Sequence, residues 1–396
     1  MVILASQTKT LHFKHVKKII TIVGARPQII KSSAISRAIL NHFSSELEEI
    51  IVHTGQHYDE NMSEVFFNEM KIPRPKYNLN VGSGGHGVQT AKMLEGLEEI
   101  FLKENPTAVL VYGDTNSTIA GSLAAAKLHI PVIHVEAGLR SFNKRMPEEI
   151  NRIACDHMST LLFTPTKTGI DNLANEGFSI GEKQMANPDH PVVFHCGDIM
   201  YDNSLHFSTV SGGKSSLLEE LNIEKNNFIL CTIHRDSNTD IAENLNSIFR
   251  ALMKIQVESG LKIILPLHPR TKKKMAELLT QEVKDQLEAN THIKIIDPAG
   301  FLDIIALEKN SKMMVTDSGG LQKEAFFFQK PCIILRPQTE WIEIVENGNA
   351  ILADCDEERI VSAYRKLSQK SDFTFPSFYG DGKAAEFICE QINLLL

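Results

Sequence analysis

The segment TDSGGLQKEA at residues 316–325 combines the end of a predicted strand with the start of a predicted helix. Apolar residues at 313–315 precede it, as is typical of a buried strand, and a helical pattern follows it. Asp317 and Ser318 suit the helix cap, and the two glycines leave room for a ligand. Because a helix N-terminus offers unpaired N–H groups and a partial positive charge, the segment predicts a phosphate site. Glu324 would reach a polar group attached to the phosphates, such as a ribose. By itself, Ser-Gly-Gly before a helix is most often an ordinary turn, so the other motifs decide its meaning.

Short apolar runs alternate with longer helical segments along most of the chain. Continuous apolar strands separated by helices indicate parallel sheets covered on both faces, and so predict the α/β class. The predicted strands are residues 19–23, 49–53, 108–112, 131–135, 161–164, 228–233, 262–266, 293–296, 313–316 and 332–335. The helices predicted in the first half are residues 32–43, 63–70, 89–103, 117–127 and 147–159.

A chain of 396 residues is long for one hydrophobic core, so two domains are expected. The alternating pattern pauses at residues 187–201, which contain two prolines and a glycine, and then restarts. We therefore predict an N-terminal domain over residues 1–196 and a second domain over residues 197–375. Ligands of open α/β sheets bind at the carboxyl ends of strands, so the functional residues are expected in the cleft between the domains.

Composition and charge limit the classes of function. A content of 42% hydrophobic and 23% charged residues is typical of a soluble globular protein. The formal net charge of −8 argues against nucleic acid as the main partner.

No stretch approaches the ~20 apolar residues of a membrane span. Lys and His side chains interrupt residues 1–18, which are predicted to form a frayed extension. The six cysteines are scattered without a C-x-x-C pair, which favours reduced thiols and a cytoplasmic location.

A basic cluster follows the first predicted strand. Residues 24–28 read GARPQ, and Lys31 lies on the helix that follows. Glycine permits a tight turn, while Arg26 and Lys31 supply positive charge for a phosphate or a carboxylate. The alternative is an ordinary strand–helix turn with solvated basic residues. The turn lacks the G-x-G-x-x-G pattern, which argues against a nicotinamide-dependent dehydrogenase.

Carboxylates follow two further strands and begin a helix. Asp114 comes after the strand 108–112, Glu136 comes after the strand 131–135, and Glu148 suits the positive end of a helix. Taken singly, Asp114 is explained by helix capping and Glu148 by its place in the first turn. Acidic groups that converge in one cleft are expected to have raised pKa values and to act as acid or base near neutral pH.

Two histidines follow strands in the second half of the chain. His234 comes after the strand 228–233 and His268 after the strand 262–266. Either could be a structural residue, and this is the favoured interpretation for His268. The His and Cys spacing does not favour a metal site, and the absence of a G-x-S-x-G segment makes a serine hydrolase an unfavourable hypothesis.

Taken together, these clusters resemble the non-hydrolysing UDP-N-acetylglucosamine 2-epimerase family. The resemblance extends from about residue 19 to the C-terminal helix, with the motifs in the family's order. The matching motifs are residues 24–31, 54–57, 113–115, 134–140, 147–152, 234–235 and 317–325.

The resemblance implies a glycosyltransferase-B-like fold, in which two Rossmann-like domains flank an interdomain active-site cleft and the C-terminal domain holds most of the UDP. A final segment over residues 376–396 would contain a helix, at 382–394, that crosses back to the N-terminal domain. The family also implies a homodimer and a reaction that needs neither a metal nor a nicotinamide cofactor.

The family's reaction eliminates UDP across C1–O and C2–H of the sugar, and adds it back with the proton delivered to the opposite face of C2. By motif position, the resemblance implies catalytic roles for Asp114, Glu136, Glu148 and His234, with His234 beside the departing diphosphate. The implied UDP-binding residues are Arg26, Lys31, His268, Ser318, Gly319, Gly320 and Glu324, and the implied sugar-binding residues are Gln28, Arg140 and Asn143.

Several positions point to one branch of this family. Gln28 replaces a Glu that is usual in enzymes acting on UDP-N-acetylglucosamine. Gln28, residues 140–143 and Trp341 are more similar to the branch that acts on UDP-2,3-diacetamido-2,3-dideoxyglucuronate. The carboxylate of such a sugar would suit Lys144 and Arg145, whose alternative interpretation is that of solvated loop residues.

The main hypothesis is therefore an epimerase of a UDP-amino sugar for a bacterial surface polysaccharide such as O-antigen. A hydrolysing 2-epimerase, which releases UDP, and a glycosyltransferase of the same architecture are the alternatives. A UDP-sugar sensor without catalysis is disfavoured, because the set of carboxylates is intact.

Overall fold

The structure is a computed structural model that describes residues 16–56, 72–181, 186–211 and 216–396. The predicted helix 63–70, position 57 of the motif 54–57 and residues 1–15 of the predicted extension lie outside these residues. The chain forms two compact units, which are described separately: unit 1 is Met1–Ile199 with Lys383–Leu396, and unit 2 is Met200–Gly382.

Unit 1 is built on a parallel sheet, with seven strands in the part of the chain that the structure describes. Their order is β3-β2-β1-β4-β5-β6-β7, so that β1, β4 and β5 are neighbours and their carboxyl ends lie on the same edge of the sheet. The strands β1 to β7 are Lys17–Val23, Leu47–His53, Tyr77–Asn78, Ala108–Tyr112, Val132–Val135, Leu161–Thr164 and Val192–His195.

Both faces of this sheet are covered by apolar side chains. Ile19 and Leu110 belong to one hydrophobic core, while their neighbours Ile20 and Val109 belong to another, since successive side chains of a strand point to opposite faces. Burial on both faces explains the continuous apolar runs of the sequence and confirms the predicted α/β class.

Helices connect these strands. The first begins at Arg26, earlier than the predicted start at residue 32, because Pro27 in its first turn needs no N–H partner and the side chain of Gln28 caps the turn before it. The helices of unit 1 are Arg26–Ala38, His86–Glu104, Asn116–Lys127, Pro147–Met158, Lys167–Asn175 and Ala384–Leu395, with a π-helical turn at Ile39–Phe43.

The C-terminal helix Ala384–Leu395 is an integral part of the core of unit 1. Ile388, Cys389 and Ile392 are buried in the same hydrophobic core as Ile35 of the first helix. The end of the chain therefore stabilises the face of the sheet that the first helix covers.

Unit 2 repeats the same construction with a parallel sheet of order β10-β9-β8-β11-β12-β13 among the described residues. The strands β8 to β13 are Phe228–Thr232, Lys262–Pro266, Ile293–Ile296, Met313–Thr316, Cys332–Ile334 and Ala350–Leu352. The helices are Ile199–Ser211, which starts at the boundary with unit 1, Leu217–Glu220, Asp236–Thr239, Ala242–Ser259, Pro269–Leu278, Gln281–Ala289, Phe301–Asn310, Gly319–Phe327, Ile342–Glu346 and Glu357–Gln369. Across the described residues of both units, none of the helices is long and apolar enough to cross a membrane.

The predicted strands are found at or near their predicted positions, but β3, β7 and β13 were missed. β7 lies at the edge of its sheet inside the Pro- and Gly-containing pause, and only Val193 of its four residues is buried. An edge strand of this kind lacks the continuous apolar run that marks the central strands.

Replacing Ile388 by Ala should destabilise unit 1, because this side chain is fully buried. We expect a loss of about 2–5 kcal/mol in the free energy of unfolding, as for other truncated core aliphatic residues. Leu394→Ala is the matched control on the same helix, since Leu394 is 66% exposed and should change stability by less than about 0.5 kcal/mol. Urea unfolding measures both, and equal effects of the two substitutions would contradict the described packing.

Candidate active site

The turn after β1 is fixed by close packing around Gly24. A Cβ atom at this position would lie 2.0 Å from Ser117 Oγ and 2.2 Å from Thr54 Oγ1, so a side chain cannot be accommodated. The backbone N–H of Gly24 donates to Gln28 Oε1 over 2.9 Å, and Gln28 Nε2 donates to the carbonyl of Tyr112 at the end of β4 over 3.0 Å. Gln28 thereby ties together the ends of two neighbouring strands.

Gln28 is buried and its amide is engaged within unit 1, with further hydrogen bonds from Ala25 N and to Thr118 Oγ1. The structure therefore gives it a role in shaping the turn that carries the exposed Arg26. The predicted contact of Gln28 with the sugar stays a prediction. From its buried position, Gln28 would influence the sugar through the turn that it holds.

Lys31 and Glu136 form an ion pair beside Gly113. Gly113 follows β4 with a φ of +62°, and a Cβ atom there would lie 3.3 Å from both Glu136 Oε2 and Lys31 Nζ. Glu136 follows β5 and has a φ of +72°, a conformation that non-glycine residues adopt rarely and that often marks functional sites. The family resemblance implies a UDP contact for Lys31 and a catalytic role for Glu136, and the structure pairs the two side chains with each other.

Asp114, the next residue after Gly113, is paired with Arg152. Its Oδ2 accepts from Arg152 Nε over 2.9 Å and from Arg152 Nη2 over 2.6 Å, while Asn151 Nδ2 donates to its backbone carbonyl. Asp114 and Glu136 thus follow two neighbouring strands, and each has a cationic partner. Sequence reasoning did not single out Arg152, although it lies in the motif 147–152, three residues after Glu149.

A buried histidine joins the turns that carry these carboxylates. The ring of His134 contacts the carbonyl of Gly113 through Nε2 at 2.8 Å and Asp156 Oδ1 through Nδ1 at 2.6 Å. Burial by itself would lower the pKa of His134, but the neighbouring Cys155 and Asp156 raise it well above its ordinary value. The ring of His134, which is hydrogen-bonded through both of its nitrogens, therefore fixes the end of β5 against the turn after β4.

Arg140 belongs to the same buried network. Its Nη1 lies 2.8 Å from Asp156 Oδ2, and its Nε donates to Glu176 Oε1 over 2.6 Å. Burial by itself would lower the pKa of Arg140, but Glu176 and Asp156 raise it above its ordinary value. The guanidinium is therefore committed to bracing the segment after β5, and its predicted contact with the sugar stays a prediction.

Glu149 shapes the loop between β5 and the helix Pro147–Met158. Its carboxylate accepts from the backbone N–H of Ser141 over 2.8 Å and of Phe142 over 2.9 Å, and pairs with Arg152 at 2.7 Å. Burial by itself would raise the pKa of Glu149, but these partners lower it below its ordinary value. Glu149 is therefore a structural carboxylate, whereas its neighbour Glu148 is exposed in the first turn.

The loop held by Glu149 presents a distinctive surface. Phe142 is 81% exposed with a φ of +55°, and Lys144 and Arg145 are also exposed. Asn143 Oδ1 accepts from the backbone N–H of Arg145 over 3.2 Å, so part of this side chain shapes the loop. The loop therefore offers an aromatic ring and two cations to a ligand.

In unit 2, the predicted anion site is a helix N-terminus. The helix Gly319–Phe327 begins after β11 and is capped by Ser318, whose Oγ accepts from Leu321 N over 3.5 Å. A Cβ atom at Gly320 would lie 3.8 Å from Ser318 Oγ and 3.9 Å from Glu324 Oε2. The start of this helix therefore brings together the predicted residues Ser318, Gly319 and Gly320 with the side chain of Glu324.

Further polar groups of unit 2 face Gly319. A Cβ atom there would lie 3.8 Å from Arg336 Nη1, 3.9 Å from Glu340 Oε2 and 3.9 Å from Trp341 Nε1. Arg336 comes after β12, next to β11 in the sheet, and pairs with Glu340 through both nitrogens of its fork at 2.9 Å. Arg336 was not predicted as a site residue. Two features of the sequence could have indicated it: its position after a strand and its spacing of four residues from Glu340.

Asp317 was predicted to cap a helix, but in the structure it holds the loop that carries His234. Its carboxylate accepts from the backbone N–H groups of His234 and Arg235 and from Asn238 Nδ2, each at 3.0 Å, and lies 2.9 Å from His234 Nδ1. Burial by itself would raise the pKa of Asp317, but these partners lower it below its ordinary value. The half-exposed His234 is thereby positioned at the end of β8, beside the helix capped by Ser318.

His268 comes after β9 and caps the helix Pro269–Leu278. Its Nδ1 accepts from the backbone N–H of Arg270 over 3.3 Å. This contact agrees with the structural interpretation favoured for His268. Its predicted contact with UDP stays a prediction.

Each unit therefore contains a distinct chemical arrangement. Unit 1 contains carboxylates at the carboxyl edge of its sheet, the type of group that serves as general acid or base, and neighbouring cations fix their orientation. Unit 2 contains a helix N-terminus flanked by Arg336, His234 and Glu324, which suits the diphosphate and ribose of a nucleotide. Among the described residues of both units, no group of three or more His, Cys, Asp or Glu side chains is placed to hold a metal ion.

Comparison with known proteins identifies the family. A family model described as UDP-N-acetylglucosamine 2-epimerase matches residues 41–393. A UDP-N-acetylglucosamine 2-epimerase homolog of Methanococcus maripaludis is 49% identical over 380 residues, which cover 96% of this chain and 100% of that protein. A UDP-2,3-diacetamido-2,3-dideoxy-D-glucuronate 2-epimerase of Pseudomonas aeruginosa is 47% identical over 378 residues, with 96% and 100% covered.

The fold is shared with solved structures. The crystal structure of Methanocaldococcus jannaschii UDP-GlcNAc 2-epimerase in complex with UDP-GlcNAc and UDP has a TM-score of 0.81 and 41% sequence identity, and covers 95% of this chain and 99% of that one. This similarity confirms the predicted fold class, two Rossmann-like α/β domains of the glycosyltransferase-B type. The chain belongs to the UDP-N-acetylglucosamine 2-epimerase family.

Proposed function

We propose that this protein inverts C2 of a UDP-2-acetamido sugar by eliminating UDP and adding it back to the resulting glycal. The observation that carries the proposal is the turn after β4, where Glu136 Oε2 lies beside Gly113 and Asp114 is the next residue, each carboxylate being paired with a cation. Removing a proton from C2 needs a positioned base, and returning it to the opposite face needs a positioned acid.

In the proposed elimination, a carboxylate of unit 1 takes the proton from C2, the C–H electrons form the C1–C2 double bond, and the C1–O bond breaks with its electron pair leaving on the diphosphate. Addition reverses these changes, with the proton delivered to the other face. Asp114, Glu136 and Glu148 are the proposed acid and base groups. The cationic partners Arg152 and Lys31 support the first two by fixing their orientation.

The nucleotide is proposed to bind to unit 2. The Ser318-capped helix start supports a diphosphate site, because its first N–H groups lack helix partners and the glycines present no side chain. Glu324 supports a ribose site, since its carboxylate lies beside this helix start. We assign His234 to the departing diphosphate, and retain Arg26, Lys31 and His268 as proposed UDP contacts.

The proposed substrate is a UDP-2,3-diacetamido-2,3-dideoxyglucuronate, with UDP-N-acetylglucosamine as the alternative. The Pseudomonas aeruginosa relative is named for the first sugar, and is 47% identical to this chain. The exposed Phe142, Lys144 and Arg145 support a sugar with a carboxylate, because the two cations offer it charge-assisted hydrogen bonds. Asn143, in the same loop, is the proposed contact to the sugar's polar groups, while Gln28 and Arg140 act through the turns they hold.

The proposal extends to the setting of the enzyme. We infer a homodimer located in the cytoplasm, whose product enters a surface polysaccharide such as O-antigen. The six cysteines, all free, support a reducing compartment.

Turnover of a panel of UDP-sugars, followed by proton NMR, tests the proposed function. We expect the C2 epimer of the diacetamido uronic acid to form with a higher kcat/KM than the epimer of UDP-N-acetylglucosamine. In Arg145→Ala, the preference between the two sugars should fall by about tenfold, as for the loss of one charge-assisted contact.

The same spectra separate the alternatives. Stoichiometric accumulation of free UDP would identify a hydrolysing epimerase, and transfer of the sugar to an added acceptor would identify a glycosyltransferase. A kcat/KM that is equal or higher for UDP-N-acetylglucosamine would contradict the assignment of substrate while leaving the family reaction in place.

Substitution of the carboxylates tests their roles. Asp114→Asn, Glu136→Gln and Glu148→Gln should each lower kcat by at least about 100-fold, because general acid–base groups contribute roughly 10²–10⁴-fold. UDP binding, measured by calorimetry, should be retained, since the proposed nucleotide residues of unit 2 are intact. Glu98→Gln is the matched control: Glu98 is exposed on the helix His86–Glu104, and we expect less than about a twofold change in its kcat. Full activity of any of the first three variants would remove that residue from the catalytic set.

A further inference from the structure

A second glutamate lies against Glu324 in the core of unit 2. Glu308 belongs to the last turn of the helix Phe301–Asn310, which packs against the helix Gly319–Phe327. Its side chain is fully buried, and among the described residues no donor group reaches either of its carboxylate oxygens. Glu324 is buried as well, and the pKa of Glu308 is raised first by burial and then by the charge of Glu324 and a hydrogen bond with its side chain.

Two ionised carboxylates cannot share this position. Both are hydrogen-bond acceptors when charged, so a hydrogen bond between them requires a proton on one of them. A pair that shares one proton forms a short, charge-assisted O–H···O⁻ bond. The contact between Glu308 and Glu324 therefore implies a single negative charge on the pair.

The surroundings decide which group keeps the proton. Burial raises the pKa of Glu308 well above its ordinary value, and the charge of Glu324 raises it further. Glu308 also lies in the last turn of its helix, where the partial negative charge of the carbonyl groups disfavours an anion. Glu324 is near the helix start at Gly320, where the partial positive charge favours an anion. Glu308 is therefore the donor and Glu324 the acceptor.

We propose that Glu308 is a protonated positioning residue whose O–H group orients the Glu324 carboxylate toward the ribose hydroxyls of the uridine nucleotide. The inference rests on the proposed function, which assigns Glu324 to the ribose. It also explains why a carboxyl group that takes no part in the proposed reaction is buried beside the nucleotide site. With the proton on Glu308, Glu324 remains an acceptor and can receive hydrogen bonds from two neighbouring hydroxyls.

The affinity ratio of UDP to 2′-deoxy-UDP isolates this role, because the diphosphate and the base are common to both ligands. Calorimetry on the full chain should show that the wild type prefers UDP. Glu308→Leu, which has a similar volume and no donor, should lower this preference by about tenfold. Glu308→Gln is the matched control, since its amide can still donate to Glu324, and it should keep the ratio within about twofold of the wild type.

A double substitution separates positioning from a general effect on the fold. Once Glu324→Ala has removed the acceptor, adding Glu308→Leu should change the ratio by less than about twofold. An unchanged ratio in Glu308→Leu, or an equal further loss in the double variant, would overturn the inference. If the wild type does not bind UDP, the proposed function itself fails.

Infrared difference spectra of the wild type at neutral pH provide a test that does not depend on the folding of Glu308→Leu. A band from a protonated carboxyl group, absent in Glu308→Gln, is the expected result. Identical spectra of the two proteins in the carboxylic acid region would contradict a proton on Glu308.

Discussion

The buried contact between His134 and Asp156 is the interaction on which the proposed catalytic edge of unit 1 depends. The imidazole joins the carbonyl of Gly113, after β4, to a carboxylate on the helix Pro147–Met158. Asp156 also accepts from the backbone N–H of Gly138 and pairs with Arg140. Three segments that are distant in sequence are therefore held together, and they are the segments that carry Asp114, Glu136 and Glu148. Burial by itself would raise the pKa of Asp156, but its partners His134 and Arg140 lower it below its ordinary value. Removing one member of such a buried charged network lowers the free energy of unfolding much more than removing one member of a surface ion pair, because a buried charge is left without a partner.

In unit 2, Asp317 holds two segments together in a similar way. This carboxylate follows β11 and receives hydrogen bonds from backbone and side chains of the segment after β8. In both units, a buried aspartate at the carboxyl edge of a parallel sheet fixes loops from neighbouring strands. The groups proposed to meet the ligand, such as Glu148 and His234, are the more exposed ones beside these aspartates. The neighbours Glu148 and Glu149 illustrate this difference, because the buried Glu149 holds a loop while Glu148 is exposed.

Much of the fold was predictable from the sequence, because central parallel strands are continuous apolar runs that end in polar clusters. The strands Ala108–Tyr112, Leu161–Thr164 and Lys262–Pro266 were predicted to the residue for this reason. Edge strands and hydrogen-bond partners were not predictable in the same way. Asp317 was interpreted as a helix cap, since a cap depends on local sequence, whereas its partners at and near His234 are 79 to 83 residues away. The pairing of Lys31 with Glu136 depends likewise on the order of strands, which residue types alone do not specify.

The central claim is that carboxylates of unit 1 exchange the proton at C2 with solvent. Running the reaction in D₂O and examining the product by NMR and mass spectrometry tests this claim most directly. Elimination and re-addition with different groups on the two faces predict one deuterium at C2 of the product from the first turnover. Complete retention of the original hydrogen at C2 would contradict the account, because that hydrogen would then have stayed with the substrate or moved as a hydride.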